Sequence, residues 1–269
     1  MSDVQDARYL KILLDRIETC KTYKPKFGQG VGTGLSLDEF TVLYSADPFY
    51  AWFGLDHPLM YAAHKAAGGI TSVYRQIGIG VEHLFRQILS DTLGLSLAQA
   101  AWSYVVQTSS GASRTLSLDG RIQTGDIQDP VRREHFQTWL HNASALTQVS
   151  PEISHVLKGA VFEVRQGYKS KDSKRQNADI SNAATAYANG YLPVVLLLSQ
   201  QIDLDVLTRY QLQRWLVLRG FIGSSAIEST YAFMRLVVGY DLAAFFERNH
   251  PVLKSTIIDV LNTLLSSHD

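Results

Sequence analysis

The chain has 269 residues, 46% hydrophobic and 19% charged, with Lys+Arg 25 against Asp+Glu 25. This composition excludes an intrinsically disordered chain and a histone-like or polybasic-tail protein, and the length suffices for a substantial core. The single cysteine, Cys20, excludes an intramolecular disulfide and a cysteine-based zinc site.

Residues 3–20 read as a helix, with Val4, Leu10, Leu13, Leu14 and Ile17 near a 3.6-residue period. Asp3 and Asp6 lie there without an apolar h-region, so a cytoplasmic protein is expected. A glycine-rich stretch, residues 27–34, follows Lys21, Lys24 and Lys26. It matches neither GxGxxG nor a GK[ST] ending and has no preceding strand, so it reads as a surface loop rather than a phosphate cradle. Asp47 and Pro48 open a turn into a packed helix whose aromatics, Phe49, Tyr50, Trp52 and Phe53, read as core.

Residues 70–89 form the clearest amphipathic pattern. Ile70, Val73, Tyr74, Ile77, Val81, Leu84, Phe85 and Ile88 fall on one stripe, with Glu82 at its flank, and Gly94 ends the helix. Residues 101–106 and 114–118 are rich in β-branched and aromatic residues around a Ser-Ser-Gly turn, which reads as a hairpin ending in Asp119-Gly120. A helix is expected over 131–146, after Pro130. Residues 159–168 read as a buried strand. Ser173 and Gln176 then give a capping-box spacing, opening a helix that stops at Gly190. Pro193 breaks the chain before a strand over 194–198 that is apolar on both faces. The longest apolar run, residues 191–198, is too short to span a bilayer. The remainder reads as helices over 204–219 and 225–238, one after Asp241 and a last one near Pro251. Tyr210, Trp215, Tyr231 and Tyr240 read as helix packing.

Strand alternation places Glu163, Arg165, Gly167 and Lys169 on one face. Buried ions need partners or a metal, so this is an unusual set to build for stability. Around it, from Lys158 to Arg175, six basic residues (Lys158, Arg165, Lys169, Lys171, Lys174, Arg175) stand against two acids, Glu163 and Asp172. Two readings follow. One is a solvated basic loop with a structural Glu163–Arg165 pair. The other is a divalent metal working on a phosphate, held by carboxylates within a positive patch. Other chemistries find less support. His57, His64, His83, His135 and His141 are scattered without an HExxH pair, no GxSxG elbow exists, and Cys20 reads as core.

The order of elements adds a resemblance. A helix with Glu82, a hairpin ending in Asp119, the strand Val161-Phe162-Glu163-Val164-Arg165, a helix and an apolar strand resemble the α-β-β-β-α-β core of the PD-(D/E)XK nuclease superfamily. That superfamily includes most type II restriction endonucleases. The resemblance covers residues 70–198. It implies an α/β fold with a mixed sheet flanked by helices, as one nuclease domain over 1–269. Within it, 1–69 would be an N-terminal helical and loop region, 70–198 the catalytic core and 199–269 a C-terminal helical region. It further implies Mg²⁺-dependent, sequence-specific hydrolysis of double-stranded DNA by a homodimer. Asp119 and Glu163 would be metal ligands, with Glu82 as the extra helix acid. Arg165 stands at the family's lysine position; because an arginine does not give up its proton, Lys169 is the alternative. Asp126, Asp129 and Glu152 are alternatives to Asp119 as first acid. Lys171, Lys174 and Arg175 would contact DNA, and Gln176 and Asn177 could pair with adenine edges. The second reading is a non-catalytic nucleic-acid-binding protein on the same fold.

Overall fold

The computed structural model describes residues 3–28, 32–107, 113–167 and 182–266. The chain forms two compact units, Met1–Gly80 with Arg248–Asp269, and Val81–Glu247. Among the described residues no helix is long and apolar enough to cross a membrane.

The first unit is helical. Helix α1 (Asp3–Glu18) is followed by a 3-10 turn, then α2 (Leu37–Ser45), α3 (Pro48–Trp52) and the start of α4 (Pro58–Leu93). Tyr9, Leu13 and Ile17 recur at four-residue spacing and are buried, whereas Val4 is 79% exposed and lies off the stripe. Ile17, Cys20, Val73, Val260 and Leu264 form one apolar cluster, which accounts for the buried thiol as a packing group. Ser36 and Glu39 cap α2 reciprocally, and Asp47 caps α3 with Pro48 in its first turn. The aromatics after that cap are not core. Phe49, Trp52 and Phe53 are all more than half exposed, because α3 is a single short turn that buries none of its residues.

The second unit is mixed α/β. After α4 and the short α5 (Leu97–Ala100) come β1 (Trp102–Gln107) and β2 (Ser113–Leu118), an antiparallel pair, and β3 (Gly120–Gln123). Then follow α6 (Pro130–Leu146), α7 (Pro151–Val156), β4 (Gly159–Arg165), α8 (residues 182–188), β5 (Tyr191–Leu197), α9 (Leu204–Leu212), β6 (Leu216–Leu218), α10 (Thr230–Phe233) and α11 (Leu242–Leu265). Strands β3, β4, β5 and β6 lie in that order, the first pair antiparallel and the others parallel. Helices flank this mixed sheet. On one face, Phe162 of β4 packs against Phe85, Trp139 and Phe233. On the other, Val161, Val195 and Leu197 join Trp102, Tyr210 and Trp215. The expected hairpin forms within a residue of its read bounds, the buried strand forms but stops at Arg165 rather than 168, and Gly94 ends α4 with φ 70, a left-handed value that glycine adopts without strain.

Several boundaries differ from the sequence reading. Helix α4 begins at Pro58 rather than residue 70, and Ile70 (39%) and Tyr74 (43%) are exposed rather than core. Pro193 does not precede a strand but lies inside β5, opposite Val161. Its missing N–H is tolerated because pairing with β6 starts only at Val194↔Leu216, so β4 alone is a ladder partner beside Pro193. The region expected as one helix over 204–219 stops at Leu212 and gives a sixth strand, β6. Arg214 there takes φ 60 without the glycine that usually signals such a turn. The segment after Leu198 is therefore not wholly helical. Residues 230–238 are helical, but 226–228 are turn and Ser229, bridged to Arg219, caps α10, which runs on through wider π-type turns over Met234–Val238. The two C-terminal helices are one, α11, with Pro251 inside it.

Two stability outcomes follow. Phe162→Ala removes a ring with 0% exposure and should cost about 3–5 kcal/mol in urea denaturation. The Tyr187 hydroxyl donates to the Arg214 carbonyl at 2.6 Å. Burial pushes its pKa up from 10.0 to about 12, against smaller opposing effects of Thr147 and Arg214. The folded state thus holds this proton more tightly, and the corresponding stability is complete below pH 10 and is lost as pH rises through about 12. In Tyr187→Phe that loss should vanish, so the melting-temperature gap between variant and parent should narrow or reverse from pH 9 towards 12.

Candidate active site

The site forms where the β2–β3 bend meets the C-terminal end of β4. Asp119 alone separates β2 from β3, one residue before the Gly120↔Phe162 pair. That register brings it beside the strand carrying Glu163, and its carboxylate accepts a hydrogen bond from the Val164 N–H at 2.8 Å. Glu163 is 4% exposed within a strand that is otherwise apolar from Ala160 to Val164. The Arg165 guanidinium, on the same face two residues on, forms an ion pair with it, as alternation requires. Arg165 also lies 4.0 Å from the Glu82 carboxylate. Glu82 sits where the sequence stripe placed it, at the half-buried flank of α4, between buried Val81 and buried Leu84.

One member is not evident from the motif. Arg86 donates from Nη1 to the Asp119 carbonyl at 3.3 Å. Its one sequence signal is its four-residue spacing from Glu82 on the same helix flank. The cluster therefore holds three carboxylates, Glu82, Asp119 and Glu163, and two guanidiniums, Arg86 and Arg165.

The alternative first acids sit elsewhere and do structural work. Asp126 is 4.0 Å from the Arg121 guanidinium. Asp129 caps α6, accepting from the N–H groups of Val131 (2.8 Å) and Arg132 (3.2 Å). Glu152 lies exposed in the first turn of α7, where its own backbone N–H and then the Ser150 hydroxyl hold its carboxyl below the usual range. Lys169, Lys171, Ser173, Lys174, Arg175, Gln176 and Asn177 lie outside the described residues. Strand alternation itself ends at Arg165, since Gln166 is in a bend.

Hard oxygen donors from three elements suit a small divalent cation in their chemistry. Asp119 and Glu163 are the two that could serve as the one or two carboxylates Mg²⁺ usually takes from a protein. In the arrangement described, Glu163 is taken up by Arg165, and no group of three or more His, Cys, Asp or Glu side chains stands in metal-holding geometry among the described residues. Compared with protein-family models, curated proteins and solved structures, the chain has no significant match.

The ion pair has a measurable consequence. Arg165→Ala leaves the Glu163 carboxylate buried without its guanidinium and should destabilise the protein by about 3–5 kcal/mol. The double variant Glu163→Gln/Arg165→Met should recover much of that loss, as read from denaturant midpoints.

Proposed function

We propose that the protein is a Mg²⁺-dependent endonuclease that cleaves double-stranded DNA in a sequence-specific manner, of the type II restriction class. The observation that carries this reading is the meeting of Asp119, Glu163 and Arg165 at the β2–β3 bend and the end of β4, with Glu82 adjacent. The order helix, hairpin, strand, helix, strand around that point supports it, as does the basic segment that follows β4 in the sequence.

On this reading Asp119 and Glu163 would hold the metal, with Glu82 as a third carboxylate nearby. The bound ion would lower the pKa of a water and offset charge developing on the phosphate. Arg165, released from Glu163, offers a fixed guanidinium fork to phosphate oxygens. Lys169 holds the scissile phosphate or orients the attacking water. Lys171, Lys174 and Arg175 contact the DNA backbone, and Gln176 and Asn177 read base edges. A homodimer would match a palindromic site by its own two-fold symmetry. The Glu163–Arg165 pair also favours one further reading, a DNA-binding protein without cleavage, because the pair satisfies the buried carboxylate internally.

Plasmid cleavage decides between them. With Mg²⁺ the protein should convert plasmid DNA into discrete bands. Glu163→Gln should lose that activity while keeping its fold and its Ca²⁺-supported DNA binding, and Lys169→Ala should lose several orders of magnitude. DNA binding without any Mg²⁺-dependent cutting would leave the binding-only reading. Near-normal turnover by Glu163→Gln would remove the site.

A further inference from the structure

The first unit leaves a group of aromatic side chains in water. Phe49, Trp52 and Phe53 are 58%, 82% and 69% exposed. Their spacing of three and four residues places them on one side of α3 and its C-cap, and the Phe49 and Phe53 rings lie 5.0 Å apart. At about 150–250 Å² per aromatic side chain, the three leave roughly 400 Å² of apolar surface in one knob, a size that marks an interaction site. The acids that flank the knob in sequence are engaged within the unit. Asp47 accepts from the Phe49 and Tyr50 N–H groups at 2.9 and 3.4 Å, and Asp56 accepts from the Ser45 hydroxyl at 2.8 Å.

A groove of about 440 Å³ lies beside the knob, lined by Phe27, Leu43, Tyr44, Pro48 and Tyr50 together with Ala46 and Asp47. Helix α3 belongs to both features. Its Tyr50 ring stacks on Tyr44 at 4.9 Å in the groove wall, whereas its Phe49 pairs with Phe53 in the knob. Phe27 meets Tyr44 edge-on at 5.4 Å and continues the aromatic wall. The volume lies in the ordinary range of clefts that accept ring-bearing groups.

An aromatic knob and an aromatic groove side by side suit each other in chemistry and shape. They cannot meet within one chain, because a single short helix carries parts of both. A second copy related by a two-fold axis supplies each with its counterpart, since in such an interface every contact occurs twice. The knob together with the groove walls it covers amounts to roughly 800 Å² per copy, which is what a standard specific interface needs, whereas the knob alone supplies about half. A foreign partner would have to bring both shapes at the same spacing. We infer that α3 and this groove form a homodimer interface, with the knob of each copy seated in the groove of the other. Apolar, aromatic composition of this kind is what homodimer interfaces favour at their centre. The inference does not rest on the nuclease reading, since a dimer can form whether or not the chain cleaves DNA.

The test uses the full chain in sedimentation equilibrium and tryptophan fluorescence across a concentration series. The chain should sediment as a dimer at tens of micromolar. Trp102, Trp139 and Trp215 are already buried, so a blue shift of the emission as concentration rises reports Trp52. Trp52→Asp, at a side chain that packs little within its own copy, should leave the far-UV circular dichroism unchanged and weaken dimerisation about thirtyfold or more. Pro48→Glu puts a charge at the groove while suiting the first turn of a helix, and it should weaken dimerisation as well. Mixing the two variants should give more dimer than either alone, because one intact knob then meets one intact groove. A chain that stays monomeric at hundreds of micromolar would overturn the inference, as would a Trp52→Asp variant that dimerises normally or a mixture that gains nothing. A monomer that instead binds phosphatidylcholine vesicles through Trp52 would assign the knob to a lipid surface and overturn it too.

Discussion

The second unit is organised around one buried charge. Glu163 is a carboxylate with almost no solvent contact, placed in an interior strand between β3 and β5. Removing an ion from water costs several kcal/mol unless partners replace the water. The surrounding residues supply those partners: Arg165 pairs with it from the same face, and Asp119 fastens the next amide in the strand. Phe162 and Val164 point to the opposite face and lie in apolar packing, which fixes the strand that carries the charge. An apolar residue of similar volume would often be as stable or more so at such a position.

The elements that converge on this point come from distant parts of the sequence. Helix α4 brings Glu82 and Arg86, the bend after β2 brings Asp119, and β4 brings Glu163 and Arg165. Helix, strand and a one-residue bend, rather than long loops, carry them. The other side of the sheet ends differently. There β6 is short, and Arg219 just beyond it is bridged to Ser229.

The parts legible in the sequence are those where local chemistry agrees with the final environment. Residues 102–107 and 113–118 are β-branched and aromatic around turn residues, and they pair as a hairpin. The apolar run of β4 and β5 is buried along its length because a parallel pair is covered on both faces. The helix expected after Pro130 forms as α6, with Pro130 in its first turn. The misread parts are those where tertiary contacts outweigh local preference. Leu216–Leu218 follows a helix without a glycine to mark its end, and it becomes a strand because β5 offers it a ladder. Pro193 sits in a strand because the neighbouring ladder starts one residue later. Pro251 stays within α11, whose neighbouring residues Leu253, Ile257, Val260 and Leu264 pack in the apolar cluster of the first unit.

By itself the sequence determined the alternation that puts Glu163 and Arg165 on one face, and the 3.6-residue stripe that leaves Glu82 at its flank, because both are consequences of backbone periodicity. It also determined that a lone cysteine would serve packing, since no second thiol exists to partner it. Which acid stands beside Glu163 was decided only in three dimensions. Asp119, Asp126, Asp129 and Glu152 are equivalent as carboxylates, and they are separated by register, capping and exposure. The role of Arg86 was settled in the same way, through a helix packed against a strand bend far along the chain. So was the exposure of Phe49, Trp52 and Phe53, because a run of aromatics specifies burial only where another element comes to cover it.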